Sequence, residues 1–146
     1  MDTDLHGTAA ARLRNHDQRY TTNRRAIVDV LSAAERPLTV PELLDRGERM
    51  PQSSVYRNIG LLEDAGIVHR ILGGDEYARY ELAEDLTDHH HHHLICSRCG
   101  AMEDVTLPSD LERSVESALR RAARRSRFEG SHHRLDLIGV CERCRA

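Results

Sequence analysis

No stretch of this chain approaches the roughly 18 consecutive apolar residues that a membrane-spanning helix requires. The acidic opening Met1-Asp2-Thr3-Asp4 has neither the basic region nor the apolar region of an export signal, so a cytoplasmic location is expected. Aromatic residues amount to 3% and tryptophan is absent. Cysteine is confined to two Cys-x-x-Cys pairs, Cys96/Cys99 and Cys141/Cys144. There is no His-Glu-x-x-His segment, no convincing Ser, His and Asp set, and no internal repeat. A hydrolytic zinc enzyme, which needs an open metal position and a placed general base, therefore has nothing to build on. A net charge of -3 argues against a protein that coats nucleic acid.

What is present is a soluble globular balance, 39% hydrophobic and 31% charged over 146 residues, enough for one ordinary domain or two small ones. Ten histidines are the compositional outlier. Positive charge is local: from Arg12 to Arg25 five arginines face one acid, Asp17, so any DNA contact must be local too. In a reducing compartment, paired thiols are read as metal ligands before disulfides.

The first third reads as helices. Leu5, Ala9 and Leu13 mark one, and Thr22 is placed to cap a second carrying Ile27, Val30 and Leu31. A third, short helix begins at the capping-box pattern Thr39-Val40-Pro41-Glu42 and ends near Gly47. A fourth begins at Ser53 or Ser54, buries Val55, Ile59, Leu62 and Leu61, and stops at Gly66. Two β-like runs follow, Ile67 to Leu72 and Tyr77 to Leu82, joined by Gly73-Gly74-Asp75-Glu76. Helices followed by a hairpin make a winged helix-turn-helix, whose last helix enters the major groove while the hairpin touches backbone.

An acidic stretch at 83–88 is the expected hinge. Beyond it, His89 to Ile95 and Ala101 to Val105 read as strands, Ser109 to about Arg127 as a helix, and His132 to Val140 as a third strand. In that helix Leu111, Val115, Ala118, Leu119 and Ala122 recur at helical spacing. The fold class is α+β: a DNA-binding unit at 1–82, the hinge, and a small metal-binding α+β unit at 89–146.

Two Cys-x-x-Cys turns brought together offer four thiolates to one tetrahedral ion, with sulfur about 2.3 Å from zinc. Such a site has no open position for water and is structural. The run His89-His90-His91-His92-His93 has the look of a purification tag, but it is internal and flows straight into Leu94-Ile95-Cys96. On a strand, alternation sends His89, His91 and His93 to one side and His90 and His92 to the other, so one strand can serve two metal sites. Imidazoles with carboxylates suit Zn2+, Fe2+, Ni2+ or Mn2+.

His-His-His-His-Leu-Ile-Cys-Ser-Arg-Cys-Gly resembles the core motif of Fur-type ferric, zinc and peroxide-responsive regulators, and Ser53-Ser54-Val55-Tyr56-Arg57-Asn58-Ile59 resembles their recognition-helix motif. Tyr20-Thr21-Thr22-Asn23-Arg24-Arg25 is similar to their N-terminal Thr-x-x-Arg segment, and the likeness covers nearly the whole chain after Arg19. The resemblance implies a homodimer on double-stranded operator DNA that represses metal-homeostasis genes, with the second unit as dimerisation domain. It implies a structural zinc on the four cysteines. A regulatory ion between the units would draw on His91, His93, Glu81, His69 and Asp104, and a third on His90, His92, Glu112 and His133.

Departures from the family pattern bear on the metal. Ala33 and Ala34 stand where many members carry a histidine, and His69 stands where zinc sensors often carry an acid. Asp104 matches peroxide sensors, which makes a peroxide-responsive regulator that oxidises a ligand histidine the alternative. Glu112 also fits a capping box begun by Ser109, and Asp104 fits a carboxylate that only orients a metal-bound imidazole. For DNA, Ser53, Ser54, Tyr56, Arg57 and Asn58 are placed to reach bases and phosphates, and Arg19, Tyr20, Thr21 and Arg24 to lie along the backbone. Tyr56 as a core aromatic and the arginines of the long helix as a solvated face are the competing readings. No small-molecule substrate is implied.

Overall fold

The computed structural model describes residues 4–47, 50–87 and 89–146. The acidic start up to Thr3 and the last hinge residue, Asp88, lie outside the described residues.

Helix α1 (Leu5–Asn15) is capped by the Asp4 carboxylate, which accepts from Gly7 N, and buries Ala9 and Leu13. Helix α2 (Thr22–Ala33) buries Ile27, Val28 and Leu31. Its cap is Thr21, whose hydroxyl accepts from Arg24 N at 3.3 Å, so the cap lies one residue before the expected Thr22. Helix α3 (Val40–Arg46) opens on Thr39, which accepts from Glu42 N at 3.2 Å. Glu42 reaches back to the Thr39 hydroxyl and to Arg36.

Helix α4 (Gln52–Asp64) starts at Gln52, ahead of the expected serines, because Pro51 already supplies the extended residue before it. It buries Val55, Asn58, Ile59 and Leu62, and Gly66 follows with φ +73, a left-handed conformation that glycine adopts without strain. Strands β1 (Val68–Leu72) and β2 (Ala78–Leu82) form the antiparallel hairpin, and β2 is bridged to the α2–α3 loop through Leu38 and Tyr80. One core runs from Ala9 to Leu86 through these helices and the hairpin. Each fully buried Leu, Ile or Val in it contributes about 1.5–3 kcal/mol.

The expected hinge is partly folded. Glu84–Leu86 form a single 3-10 turn, Leu86 is 1% exposed inside the first core, and Asp85 pairs with Arg12 of α1. The second sheet has the order β4-β3-β5, with β3 (His92–Cys96) antiparallel to β4 (Met102–Val105) and parallel to β5 (Asp136–Gly139). Central strand β3 and edge strand β5 both start later than expected. The ladder ends where His92 faces Val105, since the chain then turns through Pro108 into α5 (Ser109–Arg125). His89 to His91 and His132 to Leu135 are therefore irregular backbone. A last short helix, α6 (Glu142–Arg145), follows Cys141.

The tip of the hairpin, expected on DNA backbone, nests in the turn between β3 and β4. A Cβ on Gly74 would lie 2.2 Å from the Ser97 carbonyl oxygen, and one on Gly100 would lie 2.2 Å from the Asp75 carboxyl. Behind this contact Ile71, Ile95 and Met102 form a small second core, and Asp75 is held by a two-pronged ion pair with Arg79 at 2.7 and 2.9 Å. Acidic tip residues suit docking on the protein better than contact with phosphates.

Candidate metal centres and DNA-facing residues

The two Cys-x-x-Cys turns meet because β3 ends in Cys96 beside Gly139, which delivers the chain to Cys141. Backbone amides close each turn, Gly100 N to Cys96 O at 2.9 Å and Cys144 N to Cys141 O at 3.0 Å. One ligand atom from each of Cys96, Cys99, Cys141 and Cys144 falls within 4.8 Å of the others, and Cys99 and Cys141 Sγ are 3.7 Å apart. A tetrahedron with about 2.3 Å metal–sulfur bonds has edges of about 3.8 Å, whereas a disulfide needs about 2.05 Å. The sulfur spacing fits zinc. Amide donors from Cys141 and Cys99 pull Cys96 down to about 5, as a thiolate ligand requires. Hydrogen bonding to Cys141 and Cys99 pushes Cys144 up to about 12.

On one side of the histidine run, His91 Nε2 and His93 Nε2 both reach Glu81 Oε2, at 2.9 and 3.1 Å. Asp104 stands 3.7 and 3.6 Å from the same two nitrogens. Its position follows from register, since Asp104 lies opposite His93 on β4. Burial would raise Glu81, but hydrogen bonds from the two imidazoles overcome it and bring the carboxyl down to about 2. The same hydrogen bond lifts His91 to about 9 against the opposing effect of burial. Burial raises Asp104, with His91 offsetting part of the shift. Asp104 Oδ1 is buried without a hydrogen-bond partner. A buried carboxylate oxygen left bare beside two imidazoles fits a cation between them.

On the other side, His92 Nε2 contacts Glu112 Oε1, His90 Nε2 lies 3.2 Å from Glu112 Oε2, and His133 Nε2 lies 3.9 Å from that oxygen. His92 Nδ1 and His133 Nε2 are buried without partners. Burial would raise Glu112, but hydrogen bonding to His92 lowers it. The capping-box reading of Glu112 fails: the helix is led by Pro108, no side chain caps it, and the Glu112 carboxylate faces the histidines. Although His91 and His90 lie outside β3, alternation along the extended chain still sorts the four rings into two clusters.

His69 is not in the converging set. It is exposed on β1, opposite Glu81, and its ring sits edge-on to His132 with centroids 6.0 Å apart. Sequence reading missed two contacts of the clusters. Asp136 Oδ1 lies 3.2 Å from His93 Nδ1, a pairing set by the parallel β3–β5 register. Glu84 Oε2 lies 2.8 Å from His90 Nδ1, on the edge of the ring away from Glu112.

The Ferric uptake regulator family profile matches residues 15–138. The chain belongs to the ferric uptake regulator family. It is 35% identical over 116 residues to the ferric uptake regulation protein of Bacillus subtilis, covering 80% of this chain and 72% of that one. It is 30% identical over 149 residues to the peroxide-responsive repressor PerR of Staphylococcus epidermidis, covering 99% and 93%. The ferric uptake regulator of Vibrio cholerae superposes with a TM-score of 0.65 at 28% identity, covering 90% of this chain and 98% of that one. Like its family, the chain is a metal-responsive transcriptional regulator.

In this family member the residues expected on DNA divide into two groups. Ser53, Tyr56 and Arg57 are exposed on α4, Ser54 is half-buried there, and Arg19 and Thr21 are exposed before α2. Tyr56 is 50% exposed and so not a core aromatic. Asn58 instead points inward at 6% exposure, accepting from Arg24 Nε at 3.0 Å and donating to Ser54 Oγ at 3.2 Å. Arg24 also donates to Arg19 O at 2.6 Å, so it joins α2 to α4 rather than standing free for phosphate. Tyr20 is likewise engaged: its hydroxyl lies 2.7 Å from His6 Nδ1, and burial raises it to about 12. Asn58 and Arg24 brace α2 against α4, and Tyr20 ties the segment before α2 to α1. Among the described residues no helix is long and apolar enough to cross a membrane.

Proposed function

We propose that the chain is a repressor of metal-uptake or stress genes, acting in the cytoplasm as a homodimer whose grip on operator DNA is set by a divalent ion held by Glu81, His91, His93 and Asp104. One observation carries the reading: Glu81 belongs to the wing, whereas His93 and Asp104 belong to the second sheet and His91 to the segment leading into it, and all four converge. An ion at this point would supply a cross-link between the DNA-binding unit at 1–82 and the dimerisation unit at 89–146. Joined by residues from both units, the reading heads keep one angle. In a two-fold dimer that angle sets the separation of the recognition helices, which must match successive major grooves about 34–36 Å apart.

Zn2+ suits the cysteine site, and Zn2+ or Fe2+ suits the regulatory one, with Mn2+ and Ni2+ compatible. His90, His92, Glu112 and His133 supply a third site. Each set already offers four protein donors, which favours a binding protein over an enzyme. Gel-shift titration of an operator fragment with and without metal tests the proposal. Metal should tighten binding by about 5–150-fold, the usual range of coupling between sites. Equal affinity in both states would refute it.

A second reading has a specific observation behind it, since the PerR likeness spans 99% of the chain and Asp104 joins the regulatory cluster. Here peroxide is the signal: one of its oxygens is inserted into a ring C–H of His91 or His93 and the other leaves as water. Mass spectrometry of the iron-loaded protein after peroxide should find one added oxygen on these histidines, whereas a pure metal sensor stays unmodified.

A further inference from the structure

We propose that Glu84 is a positioning residue that holds the His90 ring for metal and ties the dimerisation-unit site to the DNA-binding unit; this rests on reading His90, His92, Glu112 and His133 as a metal site. His90 is bracketed by two carboxylates. Its Nε2 faces Glu112 at 3.2 Å, among the other candidate ligands, while its Nδ1 faces Glu84 at 2.8 Å on the opposite edge of the ring. A metal-binding imidazole usually donates its other N–H to a carboxylate, which selects the tautomer and the ring orientation and makes the free nitrogen a better ligand. Glu84 is placed to accept that proton and leave Nε2 as the metal-facing atom. Its other oxygen lies 3.5 Å from His91 N, so the same side chain steadies the backbone between the two histidine clusters.

The location of Glu84 gives the contact its reach. It sits on the 3-10 turn Glu84–Leu86, where Leu86 is buried at 1% exposure in the DNA-binding core. Its neighbour Asp85 pairs with Arg12, which also donates to Gly66 O at 2.7 Å. A site whose proposed ligands all come from the dimerisation unit is thus linked through His90 and Glu84 to a segment packed against α1 and the end of α4. The Glu84 and His90 side chains are 34% and 35% exposed, so the pair adds little to stability. Its value lies in direction. Fixing His90 at the ion also fixes Glu84, so the second histidine cluster reports to the reading head alongside the first.

The test uses the full dimeric chain with zinc on its cysteines and His93→Ala to disable the other cluster, titrated with Co2+ and followed by absorption spectroscopy. Amide hydrogen exchange of residues 84–87 is read in parallel. Glu84→Ala should weaken Co2+ uptake about 10–100-fold, the usual cost of losing such a carboxylate. It should also abolish the slowing of exchange at 84–87 that Co2+ causes in the parent. Glu84→Gln, whose amide oxygen can still accept from Nδ1–H, should recover most of the affinity with an unchanged Co2+ spectrum. Unaltered uptake and exchange in Glu84→Ala would overturn the proposal, as would a change of coordination spectrum in Glu84→Gln, which would make Glu84 a ligand. His90→Ala separates the two readings: if it too leaves Co2+ uptake unchanged, the metal site itself is wrong, and not the part given to Glu84.

Discussion

At His91 the nitrogen that would face an ion already holds a hydrogen bond to Glu81, at 2.9 Å. The ring is lifted to about 9 by that contact, so without metal it is an imidazolium at neutral pH. The sign of the linkage follows. A histidine raised on folding stabilises the native state fully below its unfolded value, about 6.5, and the benefit fades as pH rises through about 9. Glu81, lowered to about 2, stabilises above its ordinary carboxylate range and stops doing so as pH falls toward 2. Metal must displace the proton from His91, so uptake at this cluster should release protons and tighten from pH 6 toward about 9, where the ring is already neutral. Calorimetry in buffers of different ionisation enthalpy measures both. An affinity flat over that range would place His91 outside the site.

The same scale shows where reading from residue types runs out. Ser53, Tyr56 and Arg57 face outward on α4 as their motif suggested, but Asn58, one position further, is turned into the protein by Arg24 and Ser54. Nothing in the type or spacing of Asn58 separates a base-reading amide from one that braces two helices. The difference lies in the crossing of α2 over α4, which places a guanidinium from 34 residues away beside it.

Among the elements, the hairpin departs most from its usual part. The Gly-Gly-Asp-Glu turn marks a hairpin plainly, yet what the turn touches depends on the second sheet, whose β3–β4 turn presents Ser97 and Gly100 to it. The nearest atoms that a Cβ on Gly74 would meet all belong to Ser97, so Gly74→Val should undock the tip while leaving the hairpin able to form. We expect a loss of about 1–3 kcal/mol in urea unfolding, the usual cost of forcing volume into a packed contact. Hydrogen exchange should rise at 73–79 and 97–101. Unchanged protection there would mean that the two turns do not meet in solution. The strands of the histidine region show the complementary limit. Five consecutive histidines suggest a longer strand, but strand length is set by partners, and β4 ends opposite His92.

For the whole molecule the decisive feature is unpartnered apolar surface. Helix α5 has no buried residue in the single chain, and Leu111 and Leu119 are 46% and 45% exposed. Strand β5 lies at the sheet edge with Leu137 and Ile138 at 68% and 67% exposure. An apolar strand edge with both faces open invites pairing with another chain, and the proposed second copy would satisfy it by two-fold symmetry. Ile138→Glu should therefore split the proposed dimer, weakening association by about 30-fold or more if the residue is worth 2 kcal/mol. Analytical ultracentrifugation reads the change, with zinc content as the control for folding. A variant that stays dimeric would move the interface elsewhere.

Short-range chemistry was written along the chain. Cys-x-x-Cys turns, a capping threonine, glycine after α4 and alternation within the histidine run each depend on residues a few positions apart, and each could be read without coordinates. What needed the folded molecule is everything that depends on distant segments arriving together: which of the five regulatory candidates converge, Glu84 against His90, and the hairpin tip against the cysteine turn. Local conformation is governed by nearest neighbours and solvent, whereas a site spanning two units is governed by strand register and packing between them, which spacing along one chain does not encode.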